Sequence, residues 1–144
     1  MRAGVALAGA ATVVALSATY GVVRAQPTTS VWSGVYSVAQ AARGGPIYGN
    51  ACAECHGPAL EGGETAPALA GDDFRWAWHG LSIGDLFERI RISMPEGNPA
   101  SLSRRDKADV LAYMLEQNDF PAGDTDLRDR TAPLRSIALE AVQP

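Results

Sequence analysis

The feature that most constrains this chain is a pair of cysteines, Cys52 and Cys55, with His56 directly after the second. They are the only two cysteines among its 144 residues. The pattern Cys-x-x-Cys-His is the sequence signal for covalent haem attachment. On one helical turn, two thiols at this spacing can each form a thioether to a haem edge, and the next residue is placed to ligate the iron through its imidazole. The motif therefore predicts one haem c, attached covalently through Cys52 and Cys55.

Three other uses of a cysteine pair compete with this interpretation. A disulfide between Cys52 and Cys55 would form in an oxidising compartment. A thioredoxin-like redox pair needs a βαβ context, and the sequence shows no strand pattern to build one. A zinc site needs about four ligands, and beyond the motif only His79 is available, at poor spacing. Haem attachment is therefore the preferred interpretation.

The first 25 residues have the form of a secretory signal peptide. Arg2 supplies a positive charge, residues 3–23 carry no charge, and Val23-Arg24-Ala25 places small residues where signal peptidase cleaves. We therefore expect residues 1–25 to be cleaved and the protein to be exported to the periplasm. An uncleaved membrane anchor is the alternative, since the uncharged stretch is about as long as a bilayer requires. We expect contact with a membrane only in that case.

The charge balance excludes one class of partner. Without residues 1–25 the chain has ten basic and sixteen acidic residues, a net charge of −6. Nucleic acid selects basic surfaces, so it is not an expected partner. An acidic protein is suited to docking on a complementary basic protein.

The hydrophobic pattern predicts an all-α fold with long loops. Ser37 to Gln40 has the form of a helix capping box, and Pro46 then predicts either a kink or the start of a second helix. Residues 57–73 show no apolar period and predict a loop. Apolar residues at helical spacing predict one helix over 84–93, capped by Ser82. They also predict a clearer helix over 104–117, started by Ser103 with Asp106 three residues later.

The segment from Cys52 to Gly57, with the later Met94-Pro95, resembles class I c-type cytochromes. The resemblance covers about residues 37–118 and implies a bundle of about three to five helices wrapped round one covalent haem. It leaves residues 26–36 as an extended N-terminal arm and residues 119–144 as a polar C-terminal tail.

The resemblance also implies two axial iron ligands, His56 and a methionine. Apart from the initiator, the methionines are Met94 and Met114. Met114 lies inside the last predicted helix, where a thioether usually packs in the core. Met94 lies just past a helix end and is therefore the predicted second ligand. His79 is the alternative.

Further residues of the haem surroundings are implied by the same resemblance. Pro67 is the predicted carbonyl acceptor for the other ring N–H of His56, and Leu69 is predicted to pack on the haem face. Gly44 and Tyr48 resemble the family's helix-contact pair, with Tyr113 crossing near Gly44. The indoles of Trp76 and Trp78 would then either donate to haem propionates or simply pack. The predicted cofactor-binding residues are therefore Cys52, Cys55, His56, Pro67, Leu69 and Met94.

The implied function is electron transfer, not catalysis. With His56 and Met94 both bound, iron has no open position for a substrate, and catalysis at haem needs one. Three stretches resemble small bacterial cytochromes found beside quinoprotein dehydrogenases: VWSGVY, WHGLSIGDLFERIR and NDFPAG. The expected role is a shuttle of single electrons from a periplasmic dehydrogenase, such as a quinoprotein, to an oxidase or another cytochrome. A haem enzyme or sensor with a displaceable Met94, and a structural subunit whose arm and tail bind a partner, are the alternatives.

Overall fold

The computed structural model describes residues 29–144, so the predicted signal peptide lies outside the described residues. The elements are β1 (Thr29–Ser30), α1 (Val38–Ala51), α2 (Ala53–His56), α3 (Asp72–Trp78), α4 (Ile83–Ser93), α5 (Arg104–Gln117), α6 (Thr131–Leu134) and β2 (Ile137–Ala138), with 3-10 turns at Val31–Ser33 and Pro99–Ser101. The all-α prediction is confirmed. The described range contains six helices, whereas about three to five were predicted. Two of the six, α2 and α6, are short helices of four residues each. No helix in this range is long and apolar enough to span a membrane.

Helix α1 begins where the sequence predicts but continues further. The Ser37 side chain accepts a hydrogen bond from the Gln40 backbone N–H, which is half of the predicted capping box. The other half is missing because the Gln40 side chain binds the backbone of Leu127 instead. The predicted second helix at Pro46 is wrong, since Pro46 lies inside α1. A proline frees the carbonyl four residues earlier, on Ala42, and both residues are exposed, so water can replace the lost bond.

The close contact between α1 and α5 is centred on Gly44. A Cβ atom at this position would lie 2.0 Å from the Asp109 carbonyl oxygen and 2.9 Å from Cβ of Tyr113. The rings of Tyr48 and Tyr113 are 5.4 Å apart, centroid to centroid. The predicted crossing of Tyr113 near Gly44 is therefore confirmed. Only a residue without a side chain allows the two backbones to approach this closely.

We predict that Gly44→Ala lowers the free energy of unfolding by about 1–3 kcal/mol, because the added methyl group forces α1 and α5 apart. Gly49→Ala is the matched control, since a Cβ there meets nothing within 4 Å. Gly49 also lies in α1, so alanine should stabilise the helix by about 0.4–1 kcal/mol. Urea unfolding of the two variants measures both effects. Equal stabilities for the two variants would contradict the assigned contact.

Helices α4 and α5 start at the predicted capping residues. Ser82 pairs with Asp85, and Ser103 pairs with Asp106, each in a complete capping box. The predicted range 104–117 matches α5 at both ends, and α4 starts one residue earlier than predicted. Their apolar sides supply much of the core: Ile83, Leu86, Phe87, Val110, Leu111, Met114 and Leu115.

Helix α3 was not predicted. The sequence predicts a loop over residues 57–73, but the loop ends at Gly71 and α3 begins at Asp72. Its seven residues, Asp-Asp-Phe-Arg-Trp-Ala-Trp, show no apolar period, and Gly71 provides no side-chain cap. Only Phe74 is buried, so tertiary packing, and not a local signal, defines this helix.

The arm and the tail pack on each other and on the helices. Strands β1 and β2 pair in parallel, and the indole N–H of Trp32 donates to the Glu140 carbonyl at 2.9 Å. The expected extended arm contains a 3-10 turn at Val31–Ser33. The tail is less polar than expected, since it buries Phe120, Leu127, Leu134, Leu139 and Ala141. Residues 29–36 of the arm and the tail therefore form part of the folded domain.

Candidate haem site

The two thiols lie at the junction of α1 and α2. Cys52 directly follows α1 as its C-cap, and its backbone N–H donates to the Tyr48 carbonyl at 2.9 Å. Cys55 lies within α2. Cys52 is half-buried, and this burial raises the pKa of its thiol, whereas Cys55 is exposed. No disulfide joins Cys52 to Cys55. The zinc alternative requires several ligands close together. Residues 29–144 contain no group of three or more His, Cys, Asp or Glu side chains that could hold a metal ion.

His56 has one ring nitrogen engaged. It ends α2 with 8% of its surface exposed, and its Nδ1 lies 2.8 Å from the Pro67 carbonyl oxygen. A carbonyl only accepts, so the proton of the neutral ring is on Nδ1, and Nε2 carries the lone pair that a metal requires. The hydrogen bond that the resemblance implied is therefore present. A histidine that ligates iron through one ring nitrogen normally donates its other ring N–H to a carbonyl. His56 has this arrangement, with Nδ1 on the Pro67 carbonyl.

Residues 57–71, which we call the histidine loop, return the chain to His56. The Tyr48 hydroxyl donates to the Gly57 carbonyl at 2.7 Å, and the Gly62 N–H donates to the His56 carbonyl at 2.7 Å. Gly62 has a φ of 81°, and a Cβ there would lie 2.6 Å from the Ala68 nitrogen. The loop thus folds tightly on itself, which fixes the position of the Pro67 carbonyl.

Asn118, at the end of α5, ties the histidine loop to the core. Its side-chain amide donates to the Leu69 carbonyl at 2.9 Å and accepts from the Gly71 N–H at 3.0 Å. It is 1% exposed. Leu69 itself is half-buried and packs against the hydrophobic core. Sequence reasoning missed Asn118, because an asparagine after a helix signals only a possible cap.

Met94 lies at the end of α4 and begins residues 94–98, which we call the methionine loop. Its backbone N–H donates to the Ile90 carbonyl at 3.0 Å, and its side chain is half-buried. Met114, by contrast, is only 2% exposed and belongs to the core cluster, as predicted. Of these two methionines, Met94 is the one that the core does not enclose.

His79 contacts the C-terminal tail. Its Nδ1 accepts from the Ala141 N–H at 3.2 Å, and its ring packs edge-on against Trp76 with centroids 5.2 Å apart. Trp76 is 58% exposed, whereas Trp78 is half-buried against the core. His79 thus has a structural contact of its own at the end of α3.

The all-α fold and the Cys-x-x-Cys-His motif with a carbonyl-bound histidine define a class I c-type cytochrome, with covalently bound haem c as its cofactor. Residues 39–114, more than half of the chain, match the family described as cytochrome c oxidase, cbb3-type, subunit III, and the chain belongs to this family of c-type cytochromes. Its role is electron transfer through haem.

Two individual proteins are similar to this chain. It is 36% identical over 99 residues to the thiosulfate dehydrogenase of Stutzerimonas stutzeri strain A1501, across 63% of this chain and 31% of that protein. The matched region thus corresponds to about a third of the length of that relative. The crystal structure of the sulfane dehydrogenase SoxCD from Paracoccus pantotrophus resembles this chain at a TM-score of 0.48 and 21% identity, covering 76% of this chain and 62% of that one.

Proposed function

We propose that this protein is a one-electron carrier in which His56 and Met94 are the axial ligands of a single haem attached to Cys52 and Cys55. The observation that supports this most is the bond between His56 Nδ1 and the Pro67 carbonyl. It fixes the ring and leaves Nε2 for the iron. When bound, the haem supplies a one-electron iron couple. With both axial positions filled, no site is open for a substrate.

The remaining residues of the site hold the ligands and exclude water. Pro67 orients the imidazole, Leu69 covers one haem face, and the methionine loop presents the thioether. Such groups tune a haem potential through ligation, hydrogen bonding and burial. The protein thus holds the iron ligands in fixed positions. A site that does not rearrange between redox states exchanges electrons readily.

The proposed carrier works outside the cytoplasm, after removal of residues 1–25. Its donor is a periplasmic dehydrogenase, and its acceptor is an oxidase or another cytochrome. The resemblance to cytochromes beside quinoprotein dehydrogenases suggests one donor class. The relative that is named a thiosulfate dehydrogenase suggests another, an enzyme that oxidises sulfur compounds. The net charge of −6 without residues 1–25 favours a basic docking surface on these partners.

A second candidate function is catalysis of thiosulfate oxidation by this chain itself. The 36% identity to a thiosulfate dehydrogenase favours it. The match covers only 31% of that protein, however, so most of the relative has no counterpart in the match. We therefore propose the carrier role first.

The test is a redox titration followed by a turnover assay of the purified holoprotein. We expect dithionite to reduce it with one electron per chain and ferricyanide to reoxidise it fully. With thiosulfate and excess ferricyanide, we expect ferricyanide consumption no faster than in a matched sample lacking thiosulfate. Sustained thiosulfate-dependent consumption over many equivalents would establish an enzyme and contradict the carrier role.

A further inference from the structure

Helix α5 carries a buried lysine. Lys107, in the first turns of α5, is 2% exposed. Burial lowers the pKa of its ammonium group, and the nearby Arg91 and Arg104 lower it further. A buried cation is costly unless it is well paired. Among the ion pairs of residues 29–144 none includes Lys107, so its partners are backbone carbonyls instead.

The two carbonyls belong to opposite sides of the methionine loop. Lys107 Nζ donates to the Arg91 carbonyl at 2.9 Å and to the Pro99 carbonyl at 2.6 Å. Arg91 lies three residues before Met94, in the last turn of α4, where helix carbonyls lack intrahelical partners and attract cations. Pro99 opens the 3-10 turn directly after the loop. One ammonium group thus joins both ends of the segment that carries Met94.

We propose that Lys107 is a positioning residue for the iron ligand Met94: it fixes the two ends of the methionine loop, so that the thioether stays at bonding distance from the iron. This inference rests on the proposed function, in which Met94 is the ligand. The polar side chain of Asn118 fixes the histidine loop in a similar way from the other end of α5. A single helix therefore anchors both segments.

Lys107→Leu tests this proposal, and Arg43→Leu is the matched control. Leucine removes the charged donor without adding a thioether that could itself bind iron. Arg43 also contacts α5, through two bonds to the buried Asp109 at 2.9 and 3.1 Å, and it binds Asp126 in the tail. Its loss strips a polar anchor from α5 while leaving the bonds at Arg91 and Pro99 intact.

We expect Lys107→Leu to weaken the far-red ferric band of methionine-sulfur ligation and to make imidazole bind the ferric protein about tenfold more tightly, as loss of a charged hydrogen bond implies. Arg43→Leu should lower the urea midpoint yet keep the wild-type band and imidazole affinity. Both measurements are made where circular dichroism shows the variants folded. A wild-type band and wild-type imidazole affinity in Lys107→Leu would overturn the proposal, whatever its stability.

If Lys107→Leu does not mature, Lys107→Gln decides by the same two measurements. The glutamine side chain is one atom shorter and carries no charge, but it keeps an N–H donor, so we expect smaller changes in the same directions. Wild-type values in both measurements would again overturn the proposal. A wild-type protein without the far-red band would instead contradict Met94 as a ligand, and so the proposed function itself.

Discussion

Replacing both Cys52 and Cys55 with alanine is expected to abolish covalent haem. These are the only thiols in the chain, so no thioether to the haem remains. Acid-acetone should then extract all haem from the variant and none from the wild-type protein. We also expect the apoprotein to be much less stable, because a chain of this size buries only about two-thirds of its unfolded surface and loses the contacts of a large cofactor.

Glu54→Gln is the control for this experiment. Glu54 lies between the two cysteines and is exposed, so its replacement alters the same turn but keeps both thiols. This variant should retain covalent haem at the wild-type level. Haem that stays with the double-alanine variant after extraction would refute attachment through Cys52 and Cys55.

Met94→Ala is expected to keep the covalent haem and to open one coordination position. Alanine has no group that can bind iron, so the bond between iron and the methionine sulfur is lost. The covalent links from Cys52 and Cys55 to the haem remain. The ferric far-red band should disappear. The reduced protein should bind carbon monoxide at neutral pH, which the wild-type protein should not do. Absorption spectra with and without carbon monoxide measure both changes.

Met114→Leu provides the matched control, since Met114 is the other methionine of the described chain and is buried in the core. The swap conserves volume and should cost less than about 1.5 kcal/mol of unfolding free energy. Its spectrum should equal that of the wild type. An unchanged spectrum in Met94→Ala, or loss of the far-red band in Met114→Leu, would rule out Met94 as the ligand.

The parts of the fold that the sequence predicts best are those with local signals. Both capping boxes, at Ser82 and Ser103, specify where α4 and α5 begin, because a serine and a carboxylate three residues later satisfy the first backbone N–H groups of a helix. The five-residue motif from Cys52 to His56 specifies the cofactor in the same local manner. The contact between Gly44 and Tyr113, in contrast, came from the family resemblance and not from local pattern.

What the sequence did not reveal depends on contacts between distant residues. Gln40 binds Leu127, 87 positions away, so the predicted capping box could not show that its side chain has another partner. Helix α3 and the buried leucines of the tail take their order from packing and not from periodicity. Lys107 looks like an ordinary exposed lysine until the fold places the carbonyls of Arg91 and Pro99 around it.

The central claim is a haem held between His56 and Met94, and the most direct test is the absorption spectrum of the wild-type protein, oxidised and reduced, after maturation in a periplasm with haem-attachment machinery. We predict a low-spin reduced spectrum together with the weak far-red ferric band of methionine-sulfur ligation. A high-spin spectrum without that band would contradict the closed site and favour a haem enzyme or sensor instead.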